Sequence, residues 1–397
     1  MLNDVAIIGG GPVGSRVAEK MAGAGYRVVV LEQKEQMGGP VCCTGIISQE
    51  CVDTFGIEES TIVRKVKSAR FFSPSGKLVS IQRSDSQACI VDRPAFNISM
   101  AKRAQSMGVE YMLGSTVTDL TVEIDGVAIE VTRRGEQYSD CYKARAVVLT
   151  TGSDLKIAHR MALGDLGDFI TGVQAEVATD GVDEIEVYLG NQIAPGYFAW
   201  LVPTGPQRGL AGLLSRQSPG LYLREFIAFL RSNGRITTAE PEFNYGFIPL
   251  RPISRSYGER LLIAGSAAGQ VKPTTGGGIY YGLLCADIAA ENLGRALREG
   301  DLSARNLAAY EKAWRNKLGS EFRVGHWARR FFELLSDAQI EWLFDIAIED
   351  GIAEKLVGDG DISFDWHSKA ILRLLGQKAV SQVVRMIKSP LPFSRTG

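Results

Sequence analysis

Three glycines near the N-terminus have the spacing that binds a dinucleotide. Gly9, Gly11 and Gly14 follow an apolar run and form the pattern G-x-G-x-x-G. The first glycine permits a tight turn, the second lets the backbone approach a pyrophosphate, and the third lets the next helix pack closely on the strand. A second apolar run, 26–31, ends in Glu32, where a ribose hydroxyl needs an acceptor. This context favours an adenine dinucleotide site over a glycine turn in some other α/β protein.

Two adjacent cysteines, Cys42 and Cys43, lie in the glycine-rich loop 33–45 that follows the second apolar run. Because the loop comes directly after the nucleotide strand, we expect it to fold over the cofactor. The thiols allow two interpretations. Redox chemistry requires a lowered thiol pKa, whereas a packing role requires only a small, soft side chain beside a ring system.

A second run of glycines, 276–278, leads into the predicted helix 279–297. A helix that begins on glycines exposes its first backbone N–H groups. We therefore expect Gly276, Gly278 and Ile279 to hold the electron-rich edge of a ring. A second dinucleotide fingerprint is not indicated, because no strand directly precedes these glycines and no acid-ended strand follows them.

Four further side chains each have a functional and a plain interpretation. Arg93 stands at the entrance of a predicted helix, where it reaches a diphosphate or ring system, or forms a surface ion pair. Tyr197, Phe198 and Trp200 are close together, and the last two share one face of a predicted strand. They wall an apolar substrate pocket or belong to ordinary sheet core. Tyr197 and Cys43 are the candidates closest to a catalytic role.

The elements that must position these residues form two sheets. The first contains the nucleotide strands and a return strand that is apolar on both faces, and a meander precedes that return strand. Polar and apolar residues alternate along the strands of the second sheet, which is mainly antiparallel and has one helix, 221–232, between its strands. For the first sheet we predict strands 109–113, 117–124, 127–132, 139–144 and 146–150, with turns at 125–126 and 134–135; for the second, strands 66–73, 78–82, 172–177, 184–189, 198–202 and 209–214.

From residue 303 the chain is predicted to be helical, with helices 307–318 and 322–335. Residues 369–397 contain six basic residues and no acidic one, and their apolar residues fall on one helical face. A basic amphipathic helix either lies on an anionic lipid surface or caps the fold with a solvated basic face. The sequence leaves both alternatives open.

Composition excludes several classes of protein. The 397 residues carry a net charge of −1, so no basic field indicates nucleic acid. Six cysteines and three histidines lack metal-ligand spacing, and we predict no metal site. No apolar run reaches about 18 residues, and no signal peptide precedes the first strand. We expect a cytoplasmic protein, with the segment 369–397 as the place where it would meet a membrane surface.

Together these motifs resemble the geranylgeranyl reductase family of flavoproteins, whose fold is like that of p-hydroxybenzoate hydroxylase. The resemblance runs from residue 1 to about 335. It includes the Pro40-Val41-Cys42-Cys43 loop, Asp92-Arg93-Pro94-Ala95-Phe96, the stretch 265–278 and Phe198-Ala199-Trp200-Leu201-Val202-Pro203. It implies FAD as cofactor, held by Gly9, Gly11, Pro12, Gly14, Glu32, Gln33, Cys43, Thr44, Arg93, Val117, Gly152, Gly265, Ser266, Pro273, Gly276, Gly277, Gly278 and Ile279, with Tyr197, Phe198 and Trp200 on the substrate.

The chain departs from the family pattern in three places. The family usually has Asp where this chain has Ser266, and that Asp meets the ribityl hydroxyls, so the resemblance implies a weaker, uncharged contact here. The aromatic motif Tyr-x-Trp-x-Phe-Pro is Phe-x-Trp-x-Val-Pro in this chain, and the cysteine loop continues as Thr44-Gly45. The last two changes bear on the substrate more than on the fold.

The resemblance implies an α/β fold in which a Rossmann-like, three-layer ββα FAD domain carries an inserted antiparallel-sheet substrate domain and a C-terminal helical region. The expected divisions are 1–65, 91–165 and 258–297 for the FAD domain, 66–90 and 166–257 for the substrate domain, and 298–397 for the helical region.

It also implies an FAD-dependent reductase that saturates carbon–carbon double bonds of an isoprenoid chain or prenyl lipid by hydride transfer from flavin N5. The electron donor would be NAD(P)H or a redox protein in transient contact. The alternatives are a flavin monooxygenase or halogenase on the same fold, and a flavin-binding protein without turnover.

Overall fold

The protein is described by a computed structural model that covers residues 2–39, 41–133, 139–154, 156–161, 167–349, 351 and 363–375. The predicted turn at 134–135, Pro40 of the cysteine loop and the basic segment beyond residue 375 lie outside these residues.

The strands are β1 (Asn3–Ile8), β2 (Val28–Leu31), β3 (Ile46–Ser48), β4 (Ile62–Val66), β5 (Ser68–Phe72), β6 (Leu78–Gln82), β7 (Ala88–Val91), β8 (Glu110–Met112), β9 (Ser115–Val122), β10 (Val127–Arg133), β11 (Ser139–Leu149), β12 (Phe169–Ala178), β13 (Ile185–Leu189), β14 (Phe198–Gly205), β15 (Arg208–Ser215), β16 (Asn244–Pro249), β17 (Tyr257–Gly258) and β18 (Leu261–Ile263).

Nine described helices accompany these strands. They are α1 (Pro12–Gly23), α2 (Gln49–Phe55), α3 (Arg93–Ser106), α4 (Lys156–Arg160), α5 (Pro219–Ser232), α6 (Ile279–Glu299), α7 (Ala304–Phe332), α8 (Asp337–Glu349) and α9 (Ser368–Leu375), with short 3-10 turns at Glu59–Thr61 and Gly265–Ala268. None of these helices is both long and apolar enough to cross a membrane.

An eight-stranded sheet carries the nucleotide strands in the order β17-β18-β11-β1-β2-β8, and its other two strands, β10 and β9, branch off β11. Strand β1 runs parallel to β2 and β11, and its side chains alternate between two buried layers. Val5 and Ile7 pack with α1, α3, α6 and α7, whereas Ala6 and Ile8 pack with β9 and β10 on the other face. The helices, the sheet and the meander therefore form three layers.

Strand β11 corrects one prediction, since the sequence indicated two strands, 139–144 and 146–150. The structure has a single strand, Ser139–Leu149. Its first half pairs with β10 and its second half with β1, and Ala144 pairs with Val127 on one side and Asn3 on the other. One long strand thus serves as both the last meander strand and the return strand.

A seven-stranded sheet has the order β16-β12-β15-β14-β13-β5-β6, and only its β13–β5 pair is parallel. Helix α5 covers one face, where Tyr188, Leu223 and Phe226 belong to one buried cluster. Strands β3, β7 and β4 form a small third sheet. The predicted α/β class with a second, mainly antiparallel sheet is confirmed.

Helix α7 corrects a second prediction, because the expected helices 307–318 and 322–335 are one helix, Ala304–Phe332. Its buried side chains Leu307, Tyr310, Trp314, Leu318 and Phe322 keep a spacing of three or four residues across the expected break. No proline or capping side chain interrupts the helix there, so Gly319 is absorbed within it.

Candidate functional site

A cavity of about 1440 Å³ lies where the two large sheets meet. The loops after β1 and β2 close one part of it, and the uncovered face of the seven-stranded sheet walls another. The loop 41–44, the glycines before α6 and the segment 363–371 complete its lining. The cavity therefore joins the two parts of the molecule for which the sequence predicts cofactor and substrate contacts.

The first glycine turn is shaped by close backbone contacts. Gly9 has φ +102°, and a Cβ added there would lie 2.5 Å from the carbonyl oxygen of Thr150. A Cβ on Gly14 would overlap the carbonyl oxygen of Gly9, whereas one on Gly11 would meet nothing within 4 Å. Helix α1 then starts at Pro12 without a side-chain cap. Its free N–H groups and Gly11 offer a cradle for a diphosphate.

Glu32 lies beside this cradle. Its carboxylate accepts hydrogen bonds from the backbone N–H of Gly10 at 2.6 Å and of Lys34 at 2.9 Å. A carboxylate has about four acceptor positions, so two remain for ribose hydroxyls. Glu32 and Gln33 both line the cavity, as do Val117 and Gly152 farther along its edge.

The second glycine run also lines the cavity. Gly276 has φ +75°, and a Cβ there would lie 3.2 Å from Ile248 on β16. Helix α6 also begins without a side-chain cap, at Gly278. Ser266 faces the same space, and its Oγ would be 3.2 Å from a Cβ on Gly278. The cavity is also lined here by Gly277 and Ile279.

A buried ion pair supports this second run, and sequence reasoning missed it. Lys272 Nζ donates to Asp365 Oδ1 at 2.7 Å and to the carbonyl of Phe364 at 3.1 Å. The two charged residues are only 4% and 1% exposed. Lys272 Cε would lie 2.8 Å from a Cβ on Gly277, so the pair sits directly against the glycines. Ninety-three residues separate the partners, and no local signal linked them.

His367 adds a second link between these segments. Its Nε2 lies 2.9 Å from the carbonyl oxygen of Phe364, which only accepts, so Nε2 carries the hydrogen. Nδ1 therefore accepts from the hydroxyl of Thr274 at 2.7 Å. Burial, and then the charge of Lys272, lower the pKa of His367. The neutral ring is thus the form that suits this site.

Arg93 faces the cavity without a carboxylate partner among the described residues. Asp92 caps helix α3 instead, accepting from the N–H of Ala95 at 2.9 Å. The Nε and Nη1 atoms of Arg93 are buried without a hydrogen-bond partner, and its guanidinium lies 5.2 Å from the ring centre of Phe96. The described residues therefore form no surface ion pair with Arg93, and its unpartnered donors fit an anionic or electron-rich group of a bound FAD.

The cysteine loop closes over the cavity. Cys42 Sγ donates to the carbonyl of Asn244 on β16 at 3.2 Å. Burial, and then the neighbouring Cys43, raise the pKa of the Cys42 thiol to about 11. Both cysteines are free thiols. The raised pKa favours a packing role for Cys42 over thiolate redox chemistry. Cys42, Cys43 and Thr44 all line the cavity.

The aromatic side chains divide between two environments. Phe198 and Trp200 line the cavity, with Val187 and Leu189 of the neighbouring strand. Tyr197 does not line it: its hydroxyl donates to Glu333, and the guanidinium of Arg329 lies 3.3 Å from its ring centre. Burial, and then the bond to Glu333, raise the pKa of Tyr197. Three predicted cofactor residues also stand behind the lining: Gly14, Gly265 and Pro273.

Comparisons with known proteins agree with this geometry. The family described as lycopene cyclase protein matches residues 4–343. A digeranylgeranylglycerophospholipid reductase of Methanocaldococcus jannaschii is 30% identical over 368 residues, which are 89% of this chain and 92% of the relative. A second such reductase, of Methanothermobacter thermautotrophicus, is 32% identical over 86% of this chain and 91% of its own. A geranylgeranyl bacteriochlorophyll reductase-like protein of Thermoplasma acidophilum has the same fold, with a TM-score of 0.84, 23% identity, and 97% and 99% of the two chains covered.

Proposed function

Because the chain belongs both to the lycopene cyclase protein family and to the geranylgeranyl reductase family of FAD-dependent oxidoreductases, we propose that it saturates carbon–carbon double bonds of an isoprenoid chain. The names of its relatives contain this class of substrate, a geranylgeranyl lipid. The isoprenoid chain would therefore be part of a polar lipid. Three features of the cavity support this proposal: its size, its apolar wall and the residues that would hold FAD.

The observation that carries the proposal is the extent of the apolar wall. The cavity is lined by Ile81 on β6 at one edge of the seven-stranded sheet and by Ile248 on β16 at the other. Strands about 4.8 Å apart make this wall about 29 Å wide. The volume of about 1440 Å³ exceeds the roughly 300–1,000 Å³ of a typical ligand pocket. A cofactor and a long chain therefore have room together.

The chain's own residues would position both ligands. Gly11 and the start of α1 would hold the diphosphate, Glu32 the adenosine ribose, and Gly276 to Ile279 the ring. Reduced FAD, when bound, would supply the hydride for one alkene carbon, and a proton would complete the saturation at the other. Phe198 and Trp200 would hold the chain against the ring and exclude water, because an unactivated alkene reacts only in close geometry.

Cys43 is our candidate for positioning the proton. It lines the cavity, whereas the hydroxyl of Tyr197 is engaged by Glu333 outside it. With a single dinucleotide fingerprint in the chain, reducing equivalents would come from a transient contact with NAD(P)H or a redox protein. Cys43→Ser should retain part of the turnover and Cys43→Ala should lose more, measured as single-turnover rates of flavin reoxidation by substrate.

The direct test is mass spectrometry of a geranylgeranyl lipid after anaerobic incubation with the dithionite-reduced, FAD-loaded protein. A reductase adds one pair of hydrogens per double bond. Addition of an oxygen atom in air would indicate a monooxygenase instead, and bound FAD that no donor reduces would indicate a binding protein. Either result would contradict the proposal.

A matched pair of variants tests the wall itself. Phe198→Ala removes part of the apolar contact inside the cavity. Relative to wild type, we therefore expect kcat/KM to fall more for a geranylgeranyl chain than for the shorter geranyl chain. Phe229→Ala is the control, because Phe229 lies on α5, on the opposite face of the same sheet. Equal losses for both chain lengths in Phe198→Ala would remove the assigned role of this wall.

A further inference from the structure

Two glycines form a flat place in the cavity wall of the seven-stranded sheet. Gly172 on β12 and Gly246 on β16 are paired in the antiparallel register, and both line the cavity. A glycine weakens the interior of a strand and often marks a place where another part of the chain approaches closely. We call Gly172 and Gly246 the glycine pair.

The side chain of Cys42 lies against the glycine pair. A Cβ added to Gly246 would lie 3.2 Å from the Cβ of Cys42 and 3.6 Å from its Sγ. The Sγ is 3.2 Å from the carbonyl oxygen of Asn244 and 3.8 Å from that of Gly172, so the thiol contacts the backbone of both strands. Burial raises the pKa of this thiol to about 11. The thiol therefore stays protonated at neutral pH and can donate to these carbonyls.

The same loop is held a second time at Gly45. The carbonyl oxygen of Gly45 accepts from the N–H of Val91 at 2.9 Å. Gly45 has φ +72°, and a Cβ there would overlap the carbonyl oxygen of Val91, so the backbone passes close against β7. Only Cys43 and Thr44 lie between the two points of attachment, and both line the cavity.

We propose that Cys42 is a positioning residue, which anchors the loop to the seven-stranded sheet and so fixes the place of Cys43 in the cavity. The role of Cys43 rests on the proposed function, whereas the anchor rests on the contacts of Cys42 and Gly45. A backbone that is fixed on both sides leaves few conformations to the two residues between. Such restriction suits a proton donor, which must be held within reach of the alkene carbon.

Alkylation of Cys43 by iodoacetamide in the FAD-loaded protein measures the anchor directly, with the modified residue identified by mass spectrometry. Cys42→Ala removes the donor, and a released loop exposes the Cys43 thiol more often. We expect alkylation roughly fivefold faster than in wild type, which corresponds to about 1 kcal/mol for one weak hydrogen bond. Cys42→Ser keeps a donor and should react at nearly the wild-type rate. Equal rates in Cys42→Ala and wild type would overturn the anchor.

A matched pair of glycine variants tests the same contact from the sheet. Gly246→Ala places a Cβ against Cys42, so Cys43 should again be alkylated faster than in wild type. Gly172→Ala is the control, because the three atoms nearest to its Cβ would belong to the sheet, at 3.4 Å or more. Its alkylation rate should equal that of wild type. If the two glycine variants react at the same rate, the contact between Cys42 and Gly246 is not the anchor.

Turnover separates the positioning role from the reductase function. In Cys42→Ala, kcat for a geranylgeranyl lipid should fall, whereas KM for the lipid and the Kd of FAD should stay at their wild-type values. Cys42→Ser should restore kcat. Faster alkylation with an unchanged kcat would overturn the positioning role and leave the reductase function intact. The expected alkylation pattern in a protein that reduces no prenyl lipid would support the anchor and contradict the reductase function.

Discussion

The two glycine-rich turns that line the cavity are held in different ways. The turn from Gly9 to Gly14 is shaped mainly by backbone against backbone, with Gly9 close to Thr150 and Gly14 close to Gly9, and the carboxylate of Glu32 accepts from its Gly10 N–H. The run from Gly276 to Gly278 is supported by a buried ion pair between the nearby Lys272 and Asp365, which comes from far along the chain.

The difference explains what each turn can do. A turn fixed by sterics presents only backbone N–H groups, which suit a diphosphate of any nucleotide. A turn supported by charged and ionisable side chains depends on the protonation and position of those side chains. The first turn is therefore a rigid anchor, and the second can be tuned by substitutions up to about a hundred residues away. Four sets of variants test this contrast.

The largest effect should come from the ion pair under the second run. Lys272→Met leaves the carboxylate of Asp365 buried without its partner, which costs about 3–5 kcal/mol. Lys272→Met/Asp365→Asn removes both charges and should recover most of the lost free energy of unfolding in urea. A double variant as unstable as the single one would show that the pair is not the support we infer.

The next effect concerns the first turn. Gly14→Ala forces a Cβ into the carbonyl oxygen of Gly9, and we expect a loss of roughly 1–3 kcal/mol in unfolding free energy together with loss of FAD. Gly11→Ala has free space for its Cβ, so stability should stay within about 0.5 kcal/mol of wild type. Its FAD affinity should fall, because that Cβ projects where the diphosphate must approach. Unfolding curves and fluorescence titration with FAD measure the two quantities separately.

Acid should loosen the second turn through His367. Because its pKa is lowered in the folded protein, the unfolded chain binds a proton that the folded protein rejects below about pH 6.5. Stability is complete above that pH and is lost as the pH falls through the folded-state pKa. Burial and the charge of Arg251 also lower the pKa of His326. His367→Gln should therefore reduce the decrease of Tm on acidification, and His326→Gln should reduce it further. If the dependence of Tm on pH is unchanged in His367→Gln, the assignment to His367 is wrong.

The same contrast explains how much of the fold and of the site could be predicted from the sequence. The tight turn at Gly9 and the close packing at Gly14 follow from the short spacing of the glycines, so a dozen residues were enough to predict them. The expected break in α7 near Gly319 was wrong because tertiary packing on one buried face outweighs a single glycine. The position of Tyr197 depended on Arg329 and Glu333, which no local pattern connects to it. The Lys272–Asp365 pair needed the fold itself to bring its partners together.

Ser266 offers the smallest and most specific test of the contrast. A carboxylate accepts a stronger hydrogen bond than a hydroxyl, by about 1 kcal/mol, so Ser266→Asp should bind FAD roughly fivefold more tightly. ADP is the matched ligand, because it contains only the half that the first turn holds, and its affinity should not change. The Ser266 hydroxyl lies close to Gly278 and faces the cavity, so the longer side chain extends towards the ligand. Weaker FAD binding with unchanged ADP binding would mean that the second turn is shaped for a neutral side chain, and that its charged contact is supplied from elsewhere in the cavity.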